Sequence, residues 1–182
     1  MFSTIPNLLS LFRIFLIPVV IAAFYYDSIV SRWMTLFVFL FACFTDFLDG
    51  YLARSWSQTS RLGQALDPVA DKMLVCSTLF LLAGFDKINK VTLIPTIVIL
   101  CREIMVSGLR EFLSELNLTM PVSHLAKWKT FVQMASISCL LVADVSNFGF
   151  FLRTGGQVLL WMAAFMTLAS GWSYLKSASR YF

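Results

Sequence analysis

Four aspartates crowded into one stretch of an otherwise apolar chain offer the most chemistry. From Thr45 to Asp71 the sequence reads T-D-F-L-D-G-Y-L-A-R-S-W-S-Q-T-S-R-L-G-Q-A-L-D-P-V-A-D. Reduced to its polar and small positions this is D-x2-D-G-x2-A-R-x8-G-x3-D-x3-D. It holds four of the ten acidic residues of the chain. Carboxylates beside lipid are costly and persist there only with partners or a metal. Asp46 and Asp49 are three apart, Asp67 and Asp71 four apart, so each pair shares one face of a helix. Two such helices joined by a short turn can aim four carboxylates into one pocket. An all-oxygen pocket of that kind suits a hard divalent cation, Mg2+ above all. Gly50 and Ala53 follow the first pair at four-residue spacing and leave a notch where a ligand can approach the backbone. Gly63 does the same on the second helix. Arg54 brings a fork of donors suited to phosphate. Taken singly, these features have plainer explanations. Small-xxx-small spacing often serves helix packing alone, and an aspartate pair can be a proton relay. Together they point to a metal–diphosphate site.

The elements that must position this motif are membrane helices. The chain has 182 residues, of which 59% are hydrophobic and 13% charged, with a mean hydropathy of +0.80. Soluble domains run at roughly 45–50% apolar and about 25% charged. The composition is that of an all-α integral membrane protein. Hydropathy places six spans at 8–26, 33–53, 62–84, 91–112, 127–145 and 154–175, each near the ~20 residues a bilayer crossing needs. Connections are short, so residues 1–182 are expected to form one transmembrane domain, a single six-helix bundle. With the N-terminus in the cytoplasm, eight basic residues fall on the inner side and four on the outer. That bias puts both termini and all four motif aspartates at the cytoplasmic face. No cleavable signal peptide is evident at the head of the chain.

The remaining candidates are weaker. Cys43, Cys76, Cys101 and Cys139 lie in apolar segments without a CxxC pair and read as small buried hydrophobes. His124 is the sole histidine and makes no metal site by itself. The net charge of +4 carries no basic stripe interleaved with aromatics, so nucleic acid is not an expected partner.

The aspartate pattern resembles the signature of the CDP-alcohol phosphotransferases at all eight positions: Asp46, Asp49, Gly50, Ala53, Arg54, Gly63, Asp67 and Asp71. The head I-P-N-L-L-S-L-F-R-I, with Asn7, Ser10 and Arg13, resembles the opening N-x2-[TS]-x2-R of the branch that makes phosphatidylglycerophosphate in bacteria. Ser10 stands where Thr is commoner and keeps the hydroxyl. The stretches L-D-P-V-A-D-K, C-R-E-I-M-V-S-G-L-R-E and K-W-K-T-x2-Q are similar to that branch as well.

The resemblance implies a six-span bundle with a cytoplasm-facing polar cavity, a homodimer in the bacterial cytoplasmic (inner) membrane. It also implies transfer of the phosphatidyl group of CDP-diacylglycerol to glycerol 3-phosphate, giving phosphatidylglycerophosphate and CMP. Asp46, Asp49, Asp67 and Asp71 then hold two ions of Mg2+ or Mn2+, and Asp71 is also the general base. Asn7, Ser10, Gly50, Ala53, Arg54, Ser60 and Gly63 seat the CDP-diacylglycerol. The acceptor phosphate needs cations: Arg102 and Arg110, eight apart in the fourth span, and Lys127 and Lys129 at the mouth of the fifth. For the two lysines, ordinary positive-inside topology is the competing explanation.

Two rivals remain open on sequence. A sister enzyme would use the same donor with serine, inositol phosphate or phosphatidylglycerol as acceptor, and serine, lacking a phosphate, sits poorly with the basic residues of span four. A divalent-cation transporter would spread its carboxylates through the membrane depth, and it gives Gly50, Ala53 and Gly63 no role.

Overall fold

A computed structural model of the chain describes residues 5–26, 28–56, 61–115 and 124–178. Within them, the backbone alone is described at 5–9, 47–56, 61–68, 71, 114–115, 124–127, 173 and 177–178. The described residues form six helices: α1 Ile5–Tyr25, α2 Ile29–Trp56, α3 Arg61–Gly84, α4 Lys90–Glu115, α5 His124–Val142 and α6 Gly149–Ala178. Each coincides with one of the six hydropathic segments. Three contain windows long and apolar enough to cross a bilayer: Ile29–Asp46, Lys90–Leu113 and Gly149–Lys176. The protein is a multi-pass membrane protein. Large apolar side chains point outward, as lipid contact requires, Phe37 at 71% exposure and Ile104 at 66% among them.

Helix ends follow local chemistry. Ser28 caps α2, its Oγ accepting from the Ser31 amide at 3.1 Å. Asn89 caps α4, its Oδ1 accepting from the Thr92 amide at 2.7 Å. At the end of α3 the chain turns through Asp86 in the left-handed region, φ 55°. There the Lys87 amide donates to the Leu82 carbonyl at 2.9 Å and the Asp86 amide to Ala83 at 3.3 Å, which satisfies carbonyls the helix leaves open. The last turn before α6 differs from the hydropathic reading. α5 stops at Val142, not 145, because Ser146 and Val145 donate their amides back to the Val142 carbonyl. α6 begins at Gly149, five residues before the apolar run starts. A Cβ on Gly149 would sit 2.2 Å from the Ala143 carbonyl oxygen, so the turn closes only with glycine there.

The chain divides into two compact units. The first holds Met1–Lys87 with Leu141–Gly149, the second Ile88–Leu140 with Phe150–Phe182. In the first unit α1 packs on both α2 and α3, and α2 touches α3. Leu16, Val20 and Phe24 line one stripe of α1 and meet a core that includes Phe39, Ala42, Leu74, Leu79 and Leu82. Lys87 and Asp144 join its two turns at 2.7 Å. In the second unit α4, α5 and α6 are tied by polar bonds across an apolar core of Ile99, Val106, Ile137, Leu140 and Leu160. α5 and α6 approach closely at Gly156, whose carbonyl accepts from Ser136 Oγ at 2.7 Å.

Candidate active site

α2 is an unbroken helix through positions 46, 49, 50, 53 and 54, and α3 through 63, 67 and 71. The spacing argument therefore holds on real helices: positions 46 and 49 share a face of α2, and 67 and 71 share a face of α3. Both helices belong to the first unit and pack on α1. Of the four aspartates only the Asp46 side chain is described, and among the described residues no group of three or more His, Cys, Asp or Glu could hold a metal. The side chains of Asn7, Asp49, Gly50, Ala53, Arg54, Gly63, Asp67, Asp71 and Lys127 lie outside the described residues, as does Ser60 altogether. The donor chemistry fits a hard divalent cation, since the motif offers carboxylate oxygens and neither imidazole nor thiolate.

Asp46 has a partner that spacing alone did not reveal. Arg13, fully buried on α1, donates from Nη1 to Asp46 Oδ1 in an ion pair. Asn7, Ser10 and Arg13 recur every three residues on α1, and Ser10 is buried beside its helix neighbours at 2% exposure. Through Arg13, α1 thus meets the start of the aspartate motif. A carboxylate held this way is fixed in its orientation.

The second unit gathers the other predicted cations. Arg102, 5% exposed, donates from Nη1 to Glu103 Oε1 at 3.1 Å and from Nη2 to Ser170 Oγ at 2.8 Å. Lys129, also buried, pairs with the same Glu103 oxygen from α5. Gly171 makes room for this arrangement: a Cβ there would lie 3.3 Å from Arg102 Cγ and 3.4 Å from its Nε. Arg110, two turns further along α4, is exposed and donates to the hydroxyl of Tyr174 on α6. The Tyr174 ring lies under both arginines, 4.8 Å from Arg110 Cζ and 5.9 Å from Arg102 Cζ. Three of the four expected acceptor residues therefore converge, joined by Glu103, Ser170 and Tyr174. Among the described residues the cluster joins three cationic side chains with the Glu103 carboxylate.

The chain matches the family model of CDP-alcohol phosphatidyltransferases over residues 3–169. It belongs to that family. Among curated family relatives, the CDP-diacylglycerol–glycerol-3-phosphate 3-phosphatidyltransferase of Rickettsia typhi is 43% identical over 181 residues, covering 99% of this chain and 99% of the relative. The protein of that name from Haemophilus influenzae is 40% identical over 176 residues, with 96% of this chain and 92% of the relative covered. The one from Cereibacter sphaeroides is 34% identical over 213 residues, at 98% and 96%. In this CDP-alcohol phosphatidyltransferase the eight-position aspartate signature falls wholly within the matched stretch. Tyr174 lies beyond it.

Proposed function

We propose that this chain is a CDP-diacylglycerol–glycerol-3-phosphate 3-phosphatidyltransferase, forming phosphatidylglycerophosphate and CMP. The observation that carries it is identity of 34–43% along nearly the whole chain with curated enzymes of that name. The cluster on α4–α6 supports the same acceptor. Its cationic side chains suit the phosphate monoester dianion of glycerol 3-phosphate, a group that serine lacks.

In this reading Asp46, Asp49, Asp67 and Asp71 hold two divalent ions, Mg2+ or Mn2+, in a family that generally depends on such metals. The metal, when bound, neutralises the diphosphate and lowers the cost of charge in transfer. The chain's own residues do the rest. Asn7, Ser10, Gly50, Ala53, Arg54, Ser60 and Gly63 seat the CDP-diacylglycerol, and Arg13 orients Asp46. Asp71 takes the proton from the C1 hydroxyl of glycerol 3-phosphate. The hydroxyl oxygen bonds to the phosphatidyl phosphorus, and the bond from that phosphorus to CMP breaks. Arg110 contacts the acceptor phosphate, with Arg102, Lys127 and Lys129 supplying the surrounding positive field. Six bilayer crossings with both termini cytoplasmic, residence in the bacterial inner membrane and a homodimer complete the proposal; the crossings rest on hydropathy, the orientation on the distribution of basic residues, and the membrane and the dimer on family resemblance.

The experiment is an assay of purified protein with CDP-diacylglycerol and a panel of labelled acceptors. Product should form from glycerol 3-phosphate and not from serine, inositol phosphate or phosphatidylglycerol. Product from another acceptor at comparable kcat/KM would move the chain to a sister activity.

A further inference from the structure

The cations of the second unit are held in two different ways. Arg102 and Lys129 are buried, and their terminal donors go to Glu103 and Ser170 inside the unit. Arg110 stands exposed, and the one bond described for it goes to the Tyr174 hydroxyl. A guanidinium carries five donors in a rigid fork, so this contact leaves most of the fork for a ligand. Tyr174 is itself 5% exposed and fixed in the α6 wall. Its ring face lies 4.8 Å from Arg110 Cζ, within the range of a cation–π contact, while its hydroxyl sets the rotation of the guanidinium on that face.

We propose that Tyr174 is a positioning and specificity-determining residue for the acceptor: it pre-orients Arg110 so that the open edge of the fork meets two oxygens of a phosphate monoester. This rests on the acceptor assignment made above for Arg110. A free arginine on a membrane surface samples many rotamers and loses that freedom when it binds. Held between ring and hydroxyl, Arg110 loses less. The gain falls on the phosphate-bearing acceptor alone, because the donor is assigned to residues of the first unit and to the divalent ions their aspartates would hold. The ring also touches Arg102 at 5.9 Å, so the same side chain links the buried cation to the exposed one.

The test is steady-state kinetics on Tyr174→Phe, which keeps the ring and removes only the hydroxyl. KM for glycerol 3-phosphate should rise about two- to tenfold, the cost of ordering one rotamer-rich side chain on binding. The KM for CDP-diacylglycerol, kcat and the thermal midpoint should stay near wild type. Inorganic phosphate, as a competitor of glycerol 3-phosphate, should weaken by a similar factor. Tyr174→Leu, which also removes the ring, should raise the acceptor KM further. In an Arg110→Ala background Tyr174→Phe should have no additional effect. Equal shifts of both KM values, or the full Tyr174→Phe effect without Arg110, would make Tyr174 a packing residue only. If Arg110→Ala raises the acceptor KM and Tyr174→Phe does not, the positioning role fails while the acceptor site stands. If Arg110→Ala leaves that KM unchanged, the acceptor assignment fails, and the role of Tyr174 with it.

Discussion

Replacing Glu103 by Gln should be among the most destabilising changes of a single atom type in this protein. One oxygen of Glu103 serves both Arg102 and Lys129, whose side chains are 5% and 7% exposed, and Glu103 itself is 18% exposed. At that burial water screens little, and removing one member of a buried ion pair typically costs about 3–5 kcal/mol. Gln keeps an acceptor oxygen but no charge, so two buried cations face each other without compensation. For a chain of this length about 1 kcal/mol moves the thermal midpoint by about 2–4 °C, so the variant should unfold about 6–20 °C below wild type. Thermal unfolding of purified protein in detergent reads this directly. The double variant Glu103→Gln/Lys129→Met removes one cation with the carboxylate and should recover at least half of the loss, a coupling of the size found for residues in one charged network. A single-variant shift of about 1 °C, or a double variant whose loss is the plain sum of the two single ones, would refute the picture of a shared buried carboxylate.

Four further outcomes are expected. Excess chelator should abolish turnover and added Mg2+ or Mn2+ restore it; full activity without divalent metal would remove the carboxylate–metal reading. Asp71→Asn should leave CDP-diacylglycerol binding measurable while turnover nearly vanishes, and joint loss of both in a binding assay would demote Asp71 from base to ligand. Gly156→Ala should destabilise by about 1–3 kcal/mol, because its Cβ would fall 2.9 Å from Leu140 Cγ and 3.3 Å from Cys139 Cβ. Gly108→Ala, where a Cβ meets nothing within 4 Å, should instead hold or raise the unfolding midpoint in the same measurement, as expected for a helix-interior glycine.

Much of this was legible because its rules are local. Hydropathy marks apolar helices whatever they pack against, so all six appear where expected. The sharing of a face by positions 46 and 49, or 67 and 71, needs only the helical period. What sequence could not supply are partners far along the chain. Arg13 reaches Asp46 across 33 residues, Arg110 reaches Tyr174 across 64, and Arg102 reaches Ser170 across 68. No periodicity links such positions. Tyr174 carries no signal of its own, since an aromatic near the end of an apolar helix reads as an interfacial anchor. Glu103 is next to Arg102 in the sequence, but that it also takes Lys129 depends on how α5 lies against α4. The shifted ends of α5 and α6 come from a glycine that tolerates a carbonyl at close range, a constraint of backbone geometry that hydropathy does not sense.

The adjacency of Arg102 and Glu103 bears on how the protein is made. α4 emerges from the ribosome before α5, and a lone arginine at the centre of an apolar segment costs about 2.5–3.5 kcal/mol to insert. Because the counter-charge is the next residue, α4 carries its own neutralising partner into the insertion machinery and need not wait for the rest of the chain. Lys129 arrives 26 residues after Glu103 and finds a carboxylate already in place. Ser170 arrives last and completes the set of donors and acceptors around Arg102. Within α4–α6 the order of synthesis and the order of electrostatic satisfaction therefore run the same way: Lys129 meets a carboxylate that is already in the membrane.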